Sequence, residues 1–341
     1  TCALPILTLK EIAETGGASF YSGSIAEQID AASRQEGGLI RGEDLALHSC
    51  RWVDTISIDI GDAVLHELPP NGQGIAALIA MAMLLKTDTD LTDCDDPVVL
   101  HYQIESMKRG FADAHAFVAD PEVAGDAREL LTDERIAMHA AQLTACANEV
   151  DPTALPKQSS TVYLATGDAS GNMVSFIQSN YEGFGSGIVI PNTGIAMQNR
   201  GRGFSMESSH PNCVGPNKRP FHTIIPAFIQ RESGGSMAFG VMGGLMQPQG
   251  HLQVTCRVVC AGQNPQAALD APRWRLLGGR RIAIEPGFDE DVYEKLRDFG
   301  HELELADSCS IAFGGGQAVY QLEDGYIAAS DQRRDGQAVG M

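Results

Sequence analysis

The sequence has 341 residues, 43% of them hydrophobic, with a mean hydropathy of −0.09, enough to bury a sizeable core as one large or two ordinary domains. A formal charge of −20 and a pI near 4.7 argue against phosphate backbones and anionic membrane surfaces as partners. No apolar run reaches the roughly 20 residues of a membrane-spanning helix, and the longest, Ile75 to Leu85, reads as a buried helix.

Thr1 to Lys10 begins inside an apolar pattern without a basic leader region, so the sequence is expected to be a piece with a further part upstream. Ser24 followed by Glu27 has the spacing of a capping box and predicts a helix ending near Gly37-Gly38. Thr55 to Glu67 alternates like one or two strands. Gly72 to Leu85, entered through Pro69-Pro70, predicts a helix of small apolar residues, and Val98 to Val118 and Leu130 to Glu149 predict longer amphipathic helices. Asp151 to Ser160 is a breaker segment, read as an exposed connection.

At Thr161 the pattern changes. TVYLAT, a GDASGN turn and MVSFIQS predict a hairpin. Further strands are expected at Gly187–Ile190, Ile224–Ile229, Met237–Val241, Ile282–Glu285, Glu302–Leu305, Ala318–Leu322 and Tyr326–Ala329. Helices are expected at Gly250–Ala261, Pro265–Ala271 and Asp289–Phe299. Helices before the break and hairpins with helices after it predict stacked sheets covered by helix layers, an α+β class.

Eight cysteines, at positions 2, 50, 94, 146, 213, 256, 260 and 309, form no CxxC pair and have no His cluster beside them. They read as buried thiols of a reducing compartment, which favours the cytoplasm, and no metal or other cofactor is expected. The glycines of Gly183 to Gly187 lead into a strand-like run, not a helix N-terminus, and so make a poor phosphate loop. No GxSxG, HExxH or Walker lysine is present.

Order and content are more specific than any one motif. From Thr161 the chain runs TVYLATGDASGNMVSFIQSNYEGFGSGIVIPNTGIAMQNRG, CVGPNKRPFHTIIPAFI, FGVMGGLMQPQGH, DAPRW and AASDQRRDG; upstream lie FYSGSIAEQI, GGLIRGEDLA and LPPNGQG. This series resembles the γ-glutamyltranspeptidase family, the part from Thr161 onward its small subunit and residues 1–160 the later part of its large subunit. The resemblance implies an αββα sandwich of the N-terminal-nucleophile hydrolase type, the two pieces together making one domain. It also implies a zymogen that cleaves itself at Ser160–Thr161, a small-molecule amide as substrate, and pieces of one chain that stay associated. It allows a homodimer.

The chemistry that goes with the resemblance is compact. A threonine hydroxyl needs an adjacent base, and cleavage frees the Thr161 α-amine, which titrates at about 7.7–8.0. Gly243 and Gly244 match the paired glycines that present N–H groups to an oxyanion; alone they read as a tight turn. Ser179 matches a hydroxyl that supports the nucleophile. The substrate positions depart from glutathione-cleaving members: Gly203 stands at an acidic position, Arg200 at a neutral amide, His222-Thr223 at a serine pair and Tyr181 at an asparagine. Loss of the carboxylate removes the partner of a substrate ammonium, while Arg200 adds a fork suited to a carboxylate. This implies a branch that takes small acid amides such as oxamate. His222 orients the acyl group, relays a proton or is structural, and Arg200 is a clamp or half of an ion pair. A non-catalytic relative with a binding role is the alternative, supported by the altered pocket and the absent upstream part.

Overall fold

The computed structural model describes residues 3–150, 160–232 and 234–340, so the expected connection at 151–159 lies outside the described residues. The chain divides into two compact units, residues 1–53 with 180–200, and residues 54–179 with 201–341. These cuts differ from the expected cleavage point at 160/161.

The first unit contains α1 (Ala3–Glu14), α2 (Ala18–Ser22), α3 (Ser24–Gln35) and α4 (Gly42–Ala46). Ile25, Ile29 and Ile190 form its small core, with Ile12, Phe20, Ile195 and Met197 packed against it. The helix after residue 23 ends where expected: Gly37 has φ 71°, and the Gly38 N–H returns to the Ser33 carbonyl at 2.6 Å. Its start is a correction. Gly23 is the N-cap and no side chain caps the helix; the Ser24 hydroxyl instead donates to the Glu11 carboxylate on α1. Gly187–Ile190 is not a strand, and only a single bridge joins Val189 to Ala196.

The second unit opens with β1 (Ile56–Ile60), β2 (Ala63–Glu67), α5 (Gly74–Leu84) and α6 (Pro97–Phe117). Almost every α5 side chain is buried, which its all-round apolar sequence requires. Gly110 of α6 lies so close to it that a Cβ would sit 2.4 Å from the Ala76 carbonyl oxygen. Asp96 caps α6 by accepting the Val98 and Val99 N–H groups at 2.7 and 3.2 Å, with Pro97 in its first turn. After α7 (Pro121–Ala124) comes the main correction: the long helix expected to Glu149 is a single 3₁₀ turn and the short α8 (Asp133–Ala140). Tertiary bonds hold the remainder open. The Ala147 N–H reaches the Phe299 carbonyl at 2.7 Å, and the Asn148 backbone and side chain both donate to Glu105.

Then follow β3 (Ser160–Gly167), β4 (Met173–Tyr181), β5 (Ala227–Arg231), β6 (Met237–Met242), α9 (Met246–Thr255), α10 (Pro265–Asp270), β7 (Trp274–Gly278), β8 (Arg281–Ile284), α11 (Glu290–Asp298), β9 (Glu302–Leu305), β10 (Gly315–Leu322) and β11 (Gly325–Ser330). Strand β7 was not expected. Helix α9 starts four residues earlier than predicted and gives way to a π turn at Cys256–Cys260.

Six strands pair antiparallel in the order β1-β2-β5-β6-β10-β11, and β7-β8-β9 form a second small sheet. Along β6 the faces alternate. Met237, Phe239 and Val241 enter the main core with α5 and α9, while Met242 joins Tyr163 and Ile177 of the β3-β4 hairpin on the other face. Helix layer, six-stranded sheet and hairpin thus stack in that order. Gly240 permits the last contact, since a Cβ there would lie 2.5 Å from the Tyr163 ring.

Among the described residues only Cys94 and Cys256 are buried; Cys50, Cys146 and Cys309 are exposed, so the reading of all eight as core thiols is corrected. No described helix is long and apolar enough to cross a membrane.

Candidate active site

Thr161 lies at the head of β3, and its hydroxyl donates to the Ser179 hydroxyl on β4 at 3.2 Å. Two residues on, Tyr163 packs its ring against Gly240, with its N–H against the Met242 sulfur at 3.3 Å and its hydroxyl 2.7 Å from Ser175 Oγ. Burial pushes the Tyr163 phenol well above its usual pKa, so it serves as a neutral anchor. The anchor brings the Thr161 strand against Met242, the residue that precedes Gly243-Gly244.

The glycines have φ 135° and 63°, and a Cβ on Gly243 would lie 3.1 Å from Gly314 Cα. The Gly243 carbonyl accepts the Met246 N–H at 3.1 Å, and the Gly244 carbonyl accepts the Gln247 N–H at 3.2 Å. In a trans peptide the N–H points opposite to the C=O. Fixing the Gly243 carbonyl onto the first turn of α9 therefore turns the Gly244 N–H away from that helix.

The His222-Thr223 segment is tied to residues 71–73. The His222 N–H donates to the Asn71 carbonyl at 2.8 Å and its own carbonyl accepts the Gln73 N–H at 3.0 Å. His222 Nδ1 accepts the Ile224 N–H at 3.3 Å, so the ring proton of neutral His222 sits on Nε2. Thr223 is buried. Gly203 is locked as glycine, because a Cβ would lie 2.7 Å from the Phe221 carbonyl oxygen.

In the first unit, the Arg200 guanidinium stacks 4.4 Å above the Tyr181 ring, and Tyr181 itself has φ 77°. Arg200 is only 6% exposed, and burial lowers its pKa to about 10, still charged at neutral pH.

Sequence reasoning missed three groups. Gln73, within LPPNGQG, is fully buried and donates to both the Thr223 carbonyl (2.6 Å) and the Gly244 carbonyl (2.9 Å). His251, within QPQGH, accepts the Val241 N–H on Nε2 at 3.2 Å and donates from Nδ1 to the buried Glu67 carboxylate at 2.6 Å. DAPRW and SDQRR meet in a buried ion network: Arg273 pairs with Asp331 at 2.7 Å, and Arg333 bridges Asp331 and Glu285. For His251 and the ion network the available signal was charged and polar residues inside the quoted motifs; Gln73 gave none.

His101, Glu105 and His301 are buried and close enough to hold a metal ion. Most of their polar atoms are instead engaged within the protein, with His301 Nδ1 left as a buried atom without a partner among the described residues. His101 Nε2 donates to the Thr144 carbonyl, His301 Nε2 donates to His101 Nδ1 at 2.8 Å, and the Lys108 ammonium occupies Glu105 at 2.7 Å. A cavity of about 1470 Å³ borders Thr161 and is lined by Met242, Gln317, Arg334 and the segment from Asp335 to Gly340, among others.

A family model described as gamma-glutamyltranspeptidase matches residues 6–341. The chain is 33% identical over 347 residues to a glutathione hydrolase-like proenzyme, YwrD, of Bacillus subtilis, covering 98% of this chain and 65% of that protein. It is 34% identical to an oxamate amidohydrolase proenzyme of Klebsiella pneumoniae, covering 98% of this chain and 64% of that protein. The crystal structure of a cephalosporin acylase from Bacillus halodurans superposes with a TM-score of 0.89 at 44% identity, over 97% of this chain and 61% of that one. The chain thus spans a little under two thirds of the length of these relatives, and its mixed helix-and-sheet architecture is that of the N-terminal-nucleophile hydrolases. The chain belongs to the γ-glutamyltranspeptidase family.

Proposed function

We propose that the protein is an amidohydrolase or acyltransferase whose nucleophile is Thr161, released by cleavage of the Ser160–Thr161 bond. The observation that carries this is the Thr161–Ser179 hydroxyl contact at the head of β3, on a strand anchored beside the Gly243-Gly244 turn. In processing, Thr161 Oγ attacks the Ser160 carbonyl, the peptide C–N bond breaks as the nitrogen takes a proton, and water opens the resulting ester. In turnover, the freed α-amine takes the Thr161 hydroxyl proton as Oγ attacks the substrate carbonyl. The oxyanion is held by the N–H groups of the glycine turn, the amine leaves with the proton, and water or an acceptor amine completes transfer.

For the substrate we propose a small acid amide of the oxamate type. Packing at Gly203 leaves no room for a carboxylate that would bind a substrate ammonium. Arg200 and Tyr181 are assigned to substrate from their place in the motif and from the fork that a stacked guanidinium offers a carboxylate. His222 and Thr223 are assigned to the acyl side.

Intact-mass and N-terminal sequencing of the full-length protein test the reading. Two fragments, one starting at Thr161, are expected, and Thr161→Ala should give a single inert chain. An uncleaved active protein would sink the proposal. Substrate choice is read by comparing oxamate with a γ-glutamyl anilide; fast turnover of the anilide would reject the acid-amide assignment.

A further inference from the structure

Strands β5 and β6 part company at the end that carries the glycine turn. Their last antiparallel pair is Ala227 opposite Phe239, which would place Ile225 opposite Val241 next. Instead both amides are taken by side chains four residues apart on α9. Gln247 Oε1 accepts the Ile225 N–H at 3.1 Å and His251 Nε2 accepts the Val241 N–H at 3.2 Å. One step further out, the gap is closed from the other chain segment by Gln73. Its single NH₂ group donates one hydrogen to each side, to Thr223 and to Gly244.

We propose that Gln73 is a positioning residue for the acyl-transfer site, its amide setting the spacing between the His222-Thr223 segment and the Gly243-Gly244 turn. This rests on the reading of Gly243-Gly244 as the oxyanion element. The two carbonyls face each other across a buried gap, and two acceptors with no donor between them repel. An NH₂ group is the smallest side-chain unit that satisfies both at once. Holding the Gly244 carbonyl fixes the plane of the Gly244–Leu245 peptide, while Met246 fixes the plane before it. The earlier plane, held by Met246, carries the Gly244 N–H, and Gln73, sharing the Gly244 carbonyl with the Gln247 N–H, holds the plane that follows, so the Gly244 N–H is aimed before substrate arrives, which is what electrostatic preorganisation requires. Displacement of such groups by about 1 Å is enough to cost on the order of 10²-fold in rate.

The test is a pH profile of Gln73→Glu and Gln73→Met in the full-length protein. Oxamate and a γ-glutamyl anilide serve as substrates, and rates are taken per chain cleaved before Thr161 and native by near-UV circular dichroism. A carboxylate in this gap has no hydrogen for either carbonyl, whereas a carboxylic acid has one. The ratio of Gln73→Glu to wild-type kcat should therefore rise at least about tenfold from pH 8 to pH 5.5. Gln73→Met, which cannot titrate, should be down by about 10- to 100-fold with a flat ratio. Glu67 on β2, His251 on α9 and His222, whose carbonyl accepts the Gln73 N–H, are the titratable groups around this gap, and the Gln73→Met ratio, taken over the same pH range without a new charge, calibrates their contribution. A flat Gln73→Glu ratio, or a Gln73→Met kcat within twofold of wild type, overturns the proposal. Should Gln73→Glu not fold, Gln73→Met decides it alone. Turnover surviving in Thr161→Ala would reject the underlying site instead, whatever Gln73 does.

Discussion

Strand β6 meets its two neighbours in different ways. Toward β10 it is paired along its whole length, from Met237 to Met242, whereas toward β5 pairing stops at Phe239. The paired side is built by backbone alone, and its ladder does not depend on which side chains the strands carry. On the open side the corresponding bonds are made by Gln73, Gln247 and His251, each removable by one substitution. Pairing between β5 and β6 ends beside the glycine turn, and the buried polar side chains collect where it ends.

The comparison breaks most completely at Thr161. If the chemistry belongs to the open end, Thr161→Ala should abolish both self-cleavage and amide turnover while leaving the β6-β10 ladder and the melting profile in place. Loss of a covalent nucleophile costs about 10⁶-fold in kcat in a comparable acyl-transfer enzyme. Gel separation of the two pieces and ammonia release from oxamate measure it.

Next in size is the Glu67–His251 pair. Both groups are fully buried, and burial raises the Glu67 pKa while the bond to His251 works to lower it. His251→Leu strips the Val241 N–H of its acceptor and leaves the carboxylate alone, a change that should destabilise by about 3–5 kcal/mol in urea unfolding. Glu67→Gln keeps an acceptor for Nδ1–H and should cost only about 1 kcal/mol. Equal effects of the two would mean that the pair contributes packing alone.

Acid sensitivity separates a second polar region from the first. Burial, the Lys108 charge and His101 together hold the His301 pKa down at about 3, against about 6.5 for a free imidazole. Unfolded His301 thus binds a proton below about pH 6.5 and native His301 only near 3, so the unfolded state holds more protons between those values. Stability should be full above pH 6.5 and fall by on the order of a few kcal/mol as pH drops toward 3. His301→Gln, which retains an N–H donor for His101 but cannot titrate, should reduce this limb in urea melts at pH 7 and 4.5, the remainder coming from His115, held at about 4, and His101, both lowered by burial. An unchanged limb would place the acid sensitivity elsewhere.

How far these features were legible in the sequence follows from how local their causes are. The hairpin was readable because its turn is self-contained: Asp168 accepts the Ser170 and Asn172 N–H groups at 2.8 and 2.9 Å. Helices α5 and α6 were readable from their apolar pattern, while the Asp96 cap and Pro97 at the start of α6 went unread. The segment after Ala140 was not, because Glu105, Lys108 and Phe299, all distant in sequence, claim its backbone groups. Ser24 misled for the same reason, its hydroxyl finding Glu11 on another helix instead of its own N-terminus. In the candidate site, Thr161 and the glycines carried motif signal. Gln73 carried none, since a glutamine between two glycines looks like loop until the 150 residues to Thr223 are folded back onto it.

Gly240→Ala tests the hairpin side of β6, where the contact is steric. A methyl group 2.5 Å from the Tyr163 ring forces the hairpin outward, at an overpacking cost of about 1–3 kcal/mol. Because Tyr163 lies two residues from Thr161, kcat should fall more than stability alone accounts for. A stability loss with kcat unchanged per folded chain would show that the anchor holds the layer and not the nucleophile.

The smallest effect expected is at Ser179. Its oxygen accepts a hydrogen bond from the Thr161 hydroxyl at 3.2 Å, and in the proposed mechanism this contact fixes the direction of the attacking oxygen. Ser179→Ala leaves the strand and the turn intact but removes this acceptor, so kcat should fall about tenfold, equivalent to about 1.4 kcal/mol, with KM unchanged. Ser179→Thr keeps the oxygen on the same strand and should restore most of the rate. A restored rate with threonine separates a hydrogen-bond role from one of size. If Ser179→Ala matches wild type, the 3.2 Å contact is structural, and the free α-amine alone orients the nucleophile. If the loss approaches that of Thr161→Ala, Ser179 passes the proton itself.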